Sequence, residues 1–240
     1  MHFARSVKAL ALAGIVLFAP SLASAATLTY QNPANIFGSN GLASVHILSP
    51  RDIWTHAGGF ALNGDISGDS AAESFTAWCL DIYAYISDGQ NYNITTSPFS
   101  VAPLTQARID NIRALFNTGL SGLNLGIGSN SAGFQLALWD LVYEKTVNPL
   151  NAGAGKFRAS NSTGAINTAN LLLAGLAGPI TGNFKLTFLE SVGRRSQNLV
   201  TGNSIPVEIP SVPVPAAGLL LFSALAGTGL LARRKRRSAR

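Results

Sequence analysis

The sequence predicts an α+β body, a mainly antiparallel β sandwich or barrel-like sheet with a helical insertion. It is set between an N-terminal signal peptide and a C-terminal transmembrane helix. Three observations lead there. Segments over 27–86 read as strands, two segments over 105–117 and 131–146 repeat apolar residues at i, i+3 and i+4, and strand-like patterning returns from Phe184 to Val200. Strands, then helices, then strands is an α+β order rather than the alternation of an α/β fold. Of 240 residues, 47% are hydrophobic and 12% charged, which excludes a disordered or collagen-like chain and leaves room for one domain, at most two.

Taken in order, His2, Arg5 and Lys8 precede an apolar run over 9–19, Pro20 breaks it, and Ala23-Ser24-Ala25 offers the small residues that a signal peptidase accepts. Residues 1–25 therefore read as a signal peptide cut between Ala25 and Ala26, its apolar run being too short to span a bilayer. The exported body, 26–203, opens with strands expected at 27–30, 43–48, part of 52–62, and 73–86. In the last of these, Phe75, Ala77, Cys79, Asp81, Tyr83 and Tyr85 share one face and Thr76, Trp78, Leu80, Ile82, Ala84 and Ile86 the other. Both faces are largely apolar, as in a central strand. After Pro103 a helix is expected over 105–117, with Ile109, Ile112, Leu115 and Phe116 on one stripe and Gly119 to end it. A Gly, Ser and Asn loop over 119–130 leads to the most strongly patterned helix, 131–146. A weaker helix over 165–176 and strands at 184–191 and 199–200 close the body. No internal repeat is present.

Residues 204–215 form a Pro-rich linker, 216–232 are 17 uncharged and mostly apolar residues, about the minimum for a spanning helix, and 233–240 carry six of the chain's Lys and Arg residues. That basic cluster is expected to stay cytoplasmic. The formal charge of +6 belongs to the ends, because 26–215 holds 9 basic and 11 acidic residues. A basic balance of this origin is no nucleic-acid footprint. The prolines in Val212-Pro213-Val214-Pro215-Ala216 hold the chain extended just before the apolar helix, as a processing protease requires. Box, helix and basic cluster in this order resemble the VPLPA variety of the PEP-CTERM sorting signal, with Val214 where leucine is usual. The resemblance implies transient residence in the inner membrane, cleavage by an exosortase-type transpeptidase, and delivery to the outer surface or exopolysaccharide matrix of a Gram-negative bacterium.

Two residues in the body stand out. Cys79 is the only cysteine, so it cannot form an intramolecular disulfide and must be buried, intermolecular or reactive. Gln135 falls on the apolar stripe of its helix with Ala132, Leu138, Trp139 and Val142, while Gly133, Ala137, Asp140 and Glu144 take the side expected to face solvent. A buried amide without partners costs roughly 1 to 3 kcal/mol. One chemistry accounts for both: the cysteine sulfur attacks the glutamine side-chain carbonyl, expels ammonia and leaves an internal thioester. Trp78 and Trp139 are expected to wall the bond from water, and Asp81 is either a structural partner or an aid to proton movement. The segments Trp78-Cys79-Leu80-Asp81 and Gln135-Leu136-Ala137-Leu138-Trp139 resemble the two motifs of the thioester domain family of bacterial surface adhesins. Trp78 departs from the commoner Tyr or Phe, and Phe134 from the Thr that often precedes the glutamine. The resemblance implies that Cys79 and Gln135 form the thioester and that the protein couples covalently to an amine or hydroxyl on a cell surface or extracellular polymer.

Against this stands an inert buried cysteine with a hydrogen-bonded helix glutamine. The protein would then be a structural or carbohydrate-binding matrix component carrying the same tail. No enzyme is expected, because no G-x-S-x-G elbow, dinucleotide fingerprint or P-loop occurs, and no cofactor is implied. His46 and His56 lack metal-ligand spacing and read as sheet or loop residues. The loop 63–69 has oxygen ligands near EF-hand spacing, but Ser74 stands where the bidentate Glu belongs, so it reads as a polar turn, with calcium as the alternative.

Overall fold

A computed structural model describes residues 25–95, 104–144, 151–177 and 184–204. The signal peptide up to Ser24 and the sorting box, apolar helix and basic cluster lie outside the described residues. Ala25 and Ala26, on either side of the expected cleavage bond, are the first two residues of strand β1.

Six strands close into an antiparallel barrel: β1 (Ala25–Tyr30), β4 (Phe60–Gly64), β5 (Glu73–Cys79), β9 (Leu199–Ser204), β8 (Phe184–Ser191) and β6 (Gln90–Thr95), in that order around the barrel. A smaller sheet pairs β3 (Ile53–Ala57), β2 (Ala43–Ser49) and β7 (Arg158–Ser160). The expected barrel-like antiparallel sheet with a helical insertion is the architecture found. Alternation produces β1, where Ala26 and Leu28 are buried between exposed neighbours. In β6 only Tyr92 is buried, so its Asn-rich sequence carried no strand signal. The loop after β4 is a polar turn: the Asp65 carboxylate accepts the N–H groups of Gly68 (2.6 Å) and Ser70 (2.8 Å).

The helices are α1 (Gln106–Leu115), α2 (Gly128–Tyr143) and α3 (Thr163–Ala174). Thr105 caps α1, accepting the Arg108 N–H. α1 runs on into a π-helical turn, Phe116–Leu120, where buried Asn117 donates to the Arg113 carbonyl and accepts the Phe184 N–H at 2.7 Å, tying the helix to β8. Ile109, Ile112, Leu115 and Phe116 are buried as their spacing predicts.

α2 departs from expectation in a way that matters for the site. It begins three residues early, and every residue from Ser131 to Val142 is buried, including Gly133, Ala137 and Asp140 on the side expected to face water. The cause is tertiary. α2 is covered by β2, β3 and β5 and by α1 and α3, so it has no solvent face. At Gly133 a Cβ would stand 2.5 Å from the Thr168 Cβ and 3.0 Å from the Ala165 carbonyl oxygen, so the glycine sets how closely α3 approaches. Trp78, Phe134 and Phe116 form an aromatic cluster between barrel and helix, with ring centroids 4.4 and 5.1 Å apart along that chain.

Candidate functional site

β5 ends at Cys79, whereas alternation had predicted a strand to Ile86. Side chains and local turns take over the backbone groups that a longer strand would pair. The Leu80 N–H donates to the Asn198 carbonyl at 2.8 Å, and the Tyr83 N–H donates to Asp81 Oδ1 at 2.8 Å. The Tyr143 hydroxyl of α2 accepts the Ile82 N–H at 3.1 Å and donates to the Leu80 carbonyl at 3.2 Å. The alternation over 80–86 is real, with Leu80 and Ile82 buried and Tyr83 and Tyr85 exposed, but it belongs to a clamped loop.

At the last residue of β5 the sheet is completed by a side chain. On one flank Cys79 is paired in register with Leu199 of β9. On the other, β4 reaches only as far as the Phe60–Ala77 pair. Beyond that point the Gln135 carboxamide takes the place of a strand residue: its Oε1 accepts the Cys79 N–H at 2.9 Å, and its Nε2 donates to the Cys79 carbonyl at 2.8 Å. This two-way exchange is that of a hydrogen-bonded antiparallel pair. Gln135 is 1% exposed and Cys79 likewise, so both polar ends of the amide are satisfied inside the core. The two residues singled out from the sequence, 56 positions apart, are in direct contact.

The Cys79 thiol donates to the Asp81 carbonyl at 3.0 Å. Burial pushes this thiol far above its usual range, and the Asp81 charge adds to that; the Trp139 indole and the Asp81 backbone pull the other way. The Trp139 indole nitrogen is buried and, among the described residues, has no hydrogen bond in good geometry. It is thus a donor set beside the sulfur with no other partner to serve.

Cys79, Gln135 and Trp139 line a cavity of about 430 Å3. Trp78 does not line it: neighbouring strand residues point to opposite faces, and Trp78 lies against Phe134 and borders a different cavity. Asp81 does not line it either, its carboxylate being turned onto the Tyr83 N–H. The sequence-based reading missed four groups that do: Trp54 and His56 of β3, Tyr85 of the clamped loop, and Gln197. Gln197 donates to the Ala84 carbonyl, while its Oε1 is buried without a partner among the described residues. His46, in register with Trp54, stacks on its indole at 4.6 Å and 3°, and is itself bonded to Asp52 at 2.6 Å. His46 on β2 and Trp54 and His56 on β3 form no familiar motif, which is why spacing did not reveal them.

Among the described residues no group of three or more metal-ligating side chains occurs, and no helix is long and apolar enough to cross a membrane.

No protein-family model matches the chain, and no curated protein does. Three solved structures to which it is similar are all domains of bacterial surface proteins. The N-terminal domain of the Streptococcus pyogenes pilus tip adhesin Cpa aligns at 15% identity over 74% of this chain and 99% of that one, with a TM-score of 0.39. The N-terminal thioester domain of the fibronectin-binding protein SfbI from Streptococcus pyogenes aligns at 16% over 74% and 98%, with a TM-score of 0.36. The N-terminal thioester domain of a surface protein from Clostridium perfringens aligns at 14% over 68% and 98%, with a TM-score of 0.40.

Proposed function

We propose that this chain is an exported surface protein whose body forms an internal thioester between Cys79 and Gln135 and uses it to attach covalently to a partner. The observation that carries the proposal is the double hydrogen bond between the Gln135 carboxamide and the Cys79 backbone, which holds the electrophile against the residue that bears the nucleophile. A sulfur attack on Gln135 Cδ forms the C–S bond and breaks the C–N bond, and the thiol proton leaves on the nitrogen as ammonia. Holding the reactants together removes most of the entropy of their encounter. Because burial opposes free thiolate, the proton has to move with the attack, and the Trp139 N–H is positioned to ease charge on sulfur. The product is buried, which slows hydrolysis, yet it borders a cavity from which an amine or hydroxyl can enter.

The leader and tail extend this reading. Export through the signal peptide, brief anchoring by 216–232, and cutting near Val212–Ala216 by an exosortase-type transpeptidase would deliver the body to the cell surface or extracellular matrix.

A second reading is favoured by one specific observation: amide and thiol already have hydrogen-bond partners, Gln135 in the Cys79 backbone and the thiol in the Asp81 carbonyl. The pair is then a structural latch in a matrix component that makes no covalent bond. Intact mass of the full chain, with and without methylamine and beside Cys79→Ala, separates the two. The thioester gives a wild-type mass one ammonia short that rises by one methylamine, neither being seen in the variant. A wild-type mass equal to its sequence, unchanged by methylamine, leaves the latch.

A further inference from the structure

We propose that the nucleophile accepted by this site is a carbohydrate hydroxyl, with His56 taking its proton; this rests on the thioester reading above and names its substrate class. Three features of the cavity bear on it. Among the described residues no Asp, Glu, Lys or Arg lines the cavity, so a lysine-type ammonium entering it meets no counter-charge from them. Among the described residues the titratable side chains along its wall are His56, Tyr85 and Cys79 itself. An amine adds to a thioester as a neutral nucleophile strong enough to act unaided, whereas an alcohol needs its proton removed as it attacks, and imidazole is the side chain suited to that task near neutral pH. His56 therefore has a role with one class of acceptor and none with the other.

The third feature is aromatic. Trp54 is 59% exposed and Tyr85 66% exposed, and both line the cavity that holds Cys79. Exposed apolar surface gathered along a groove is one mark of a ligand-binding site. The Trp54 indole is also held in place, stacked on His46, which Asp52 fixes in turn. A rigid aromatic face beside neutral hydrogen-bonding groups, here Ser44, Thr55 and the Gln197 amide, suits a sugar ring, whose C–H faces pack on the ring while its hydroxyls find donors and acceptors.

The step balances without a further reactant. The sugar oxygen bonds to Gln135 Cδ as its proton passes to His56, the C–S bond breaks, and the sulfur leaves and receives a proton from the imidazolium. The products are a Cys79 thiol and an ester on the Gln135 side chain.

The test uses the full chain, with maltohexaose, chitohexaose and Nα-acetyl-lysine amide offered separately and the adducts weighed. Wild type should gain one oligosaccharide mass that hydroxylamine removes. His56→Asn should form this ester about 100-fold more slowly while taking up methylamine at a rate within about threefold of wild type. Trp54→Ala should likewise lose the sugar adduct and keep the methylamine one. A wild-type mass one ammonia short that accepts methylamine but esterifies neither sugar, or that prefers the lysine amide, overturns the acceptor and leaves the thioester standing. His56→Asn slowing methylamine as much as sugar overturns the proton-acceptor role. A full-sequence mass with no methylamine uptake overturns the thioester and this proposal together.

Discussion

Replacing Asp140 by Asn should make the fold insensitive to pH where the wild type weakens. Asp140 sits in the last turn of α2 with no exposure, and neither carboxylate oxygen has a hydrogen bond in good geometry among the described residues. Burial raises its pKa from 3.8 to about 7, the Glu144 charge adds to this, and the Asn151 backbone draws it slightly down. The folded state thus holds the proton up to about pH 7 and the unfolded chain releases it near pH 4. Below pH 4 both states are protonated and burial of the acid carries no ionic penalty. From about pH 4 to 7 stability falls by about 1.4 kcal/mol per pH unit, and above pH 7 both states are ionised and the fall ends. The full loss is on the order of 4 kcal/mol. The comparison is best made in the Cys79→Ala background, which keeps the thioester out of the measurement. Urea midpoints at pH 5 and pH 8 should show the advantage of Asp140→Asn growing by about 2 to 3 kcal/mol across that interval. An advantage that stays flat with pH would mean that Asp140 is ionised and solvated in the folded chain, and would refute the reasoning.

Two further outcomes follow from packing and pairing. In the same background, Gln135→Met keeps the volume but strips the Cys79 N–H and carbonyl of their partners; it should cost about 2 to 5 kcal/mol in urea unfolding. Gly133→Ala drives a Cβ into the Thr168 side chain and toward the immovable Ala165 carbonyl; it should lower stability by about 1 to 3 kcal/mol, read as a drop in melting temperature.

Much of this architecture is legible in the residues, and the gaps have physical causes. The strand Phe184–Ser191 has the expected bounds because Phe184, Leu186 and Phe188 alternate with Lys185 and Thr187 and the sequence places Gly182 and Gly193 on either side. β6 stays hidden because one buried side chain in six gives no period, and β7 because three residues are too few to show one. The run after Cys79 misleads because alternating burial arises equally in a loop whose backbone is held by Tyr143, Asp81 and Asn198. Amphipathic reasoning places Gln135 inward correctly and Asp140 outward wrongly for one reason. It assumes that a helix has a wet side, and α2 is surrounded. In the candidate site, Cys79 and Gln135 are visible as anomalies of composition and pattern. His56 and Trp54 are exposed residues on a short strand, and only the closing of the sheet brings them to the cavity that holds the cysteine.

The place Gln135 holds beside Cys79 has a meaning for how the sheet can change. A rung made by two backbones is permanent for the life of the chain, since altering either amide would cut the polymer. The rung at Cys79 hangs instead from a side chain. Chemistry at Gln135 Cδ can remove its donor while sparing its acceptor, leaving the Cys79 N–H protected and the Cys79 carbonyl without a donor. The barrel therefore contains one hydrogen bond that is erasable, and amide hydrogen exchange and carbonyl infrared signals at Cys79 would read its state directly in the intact fold.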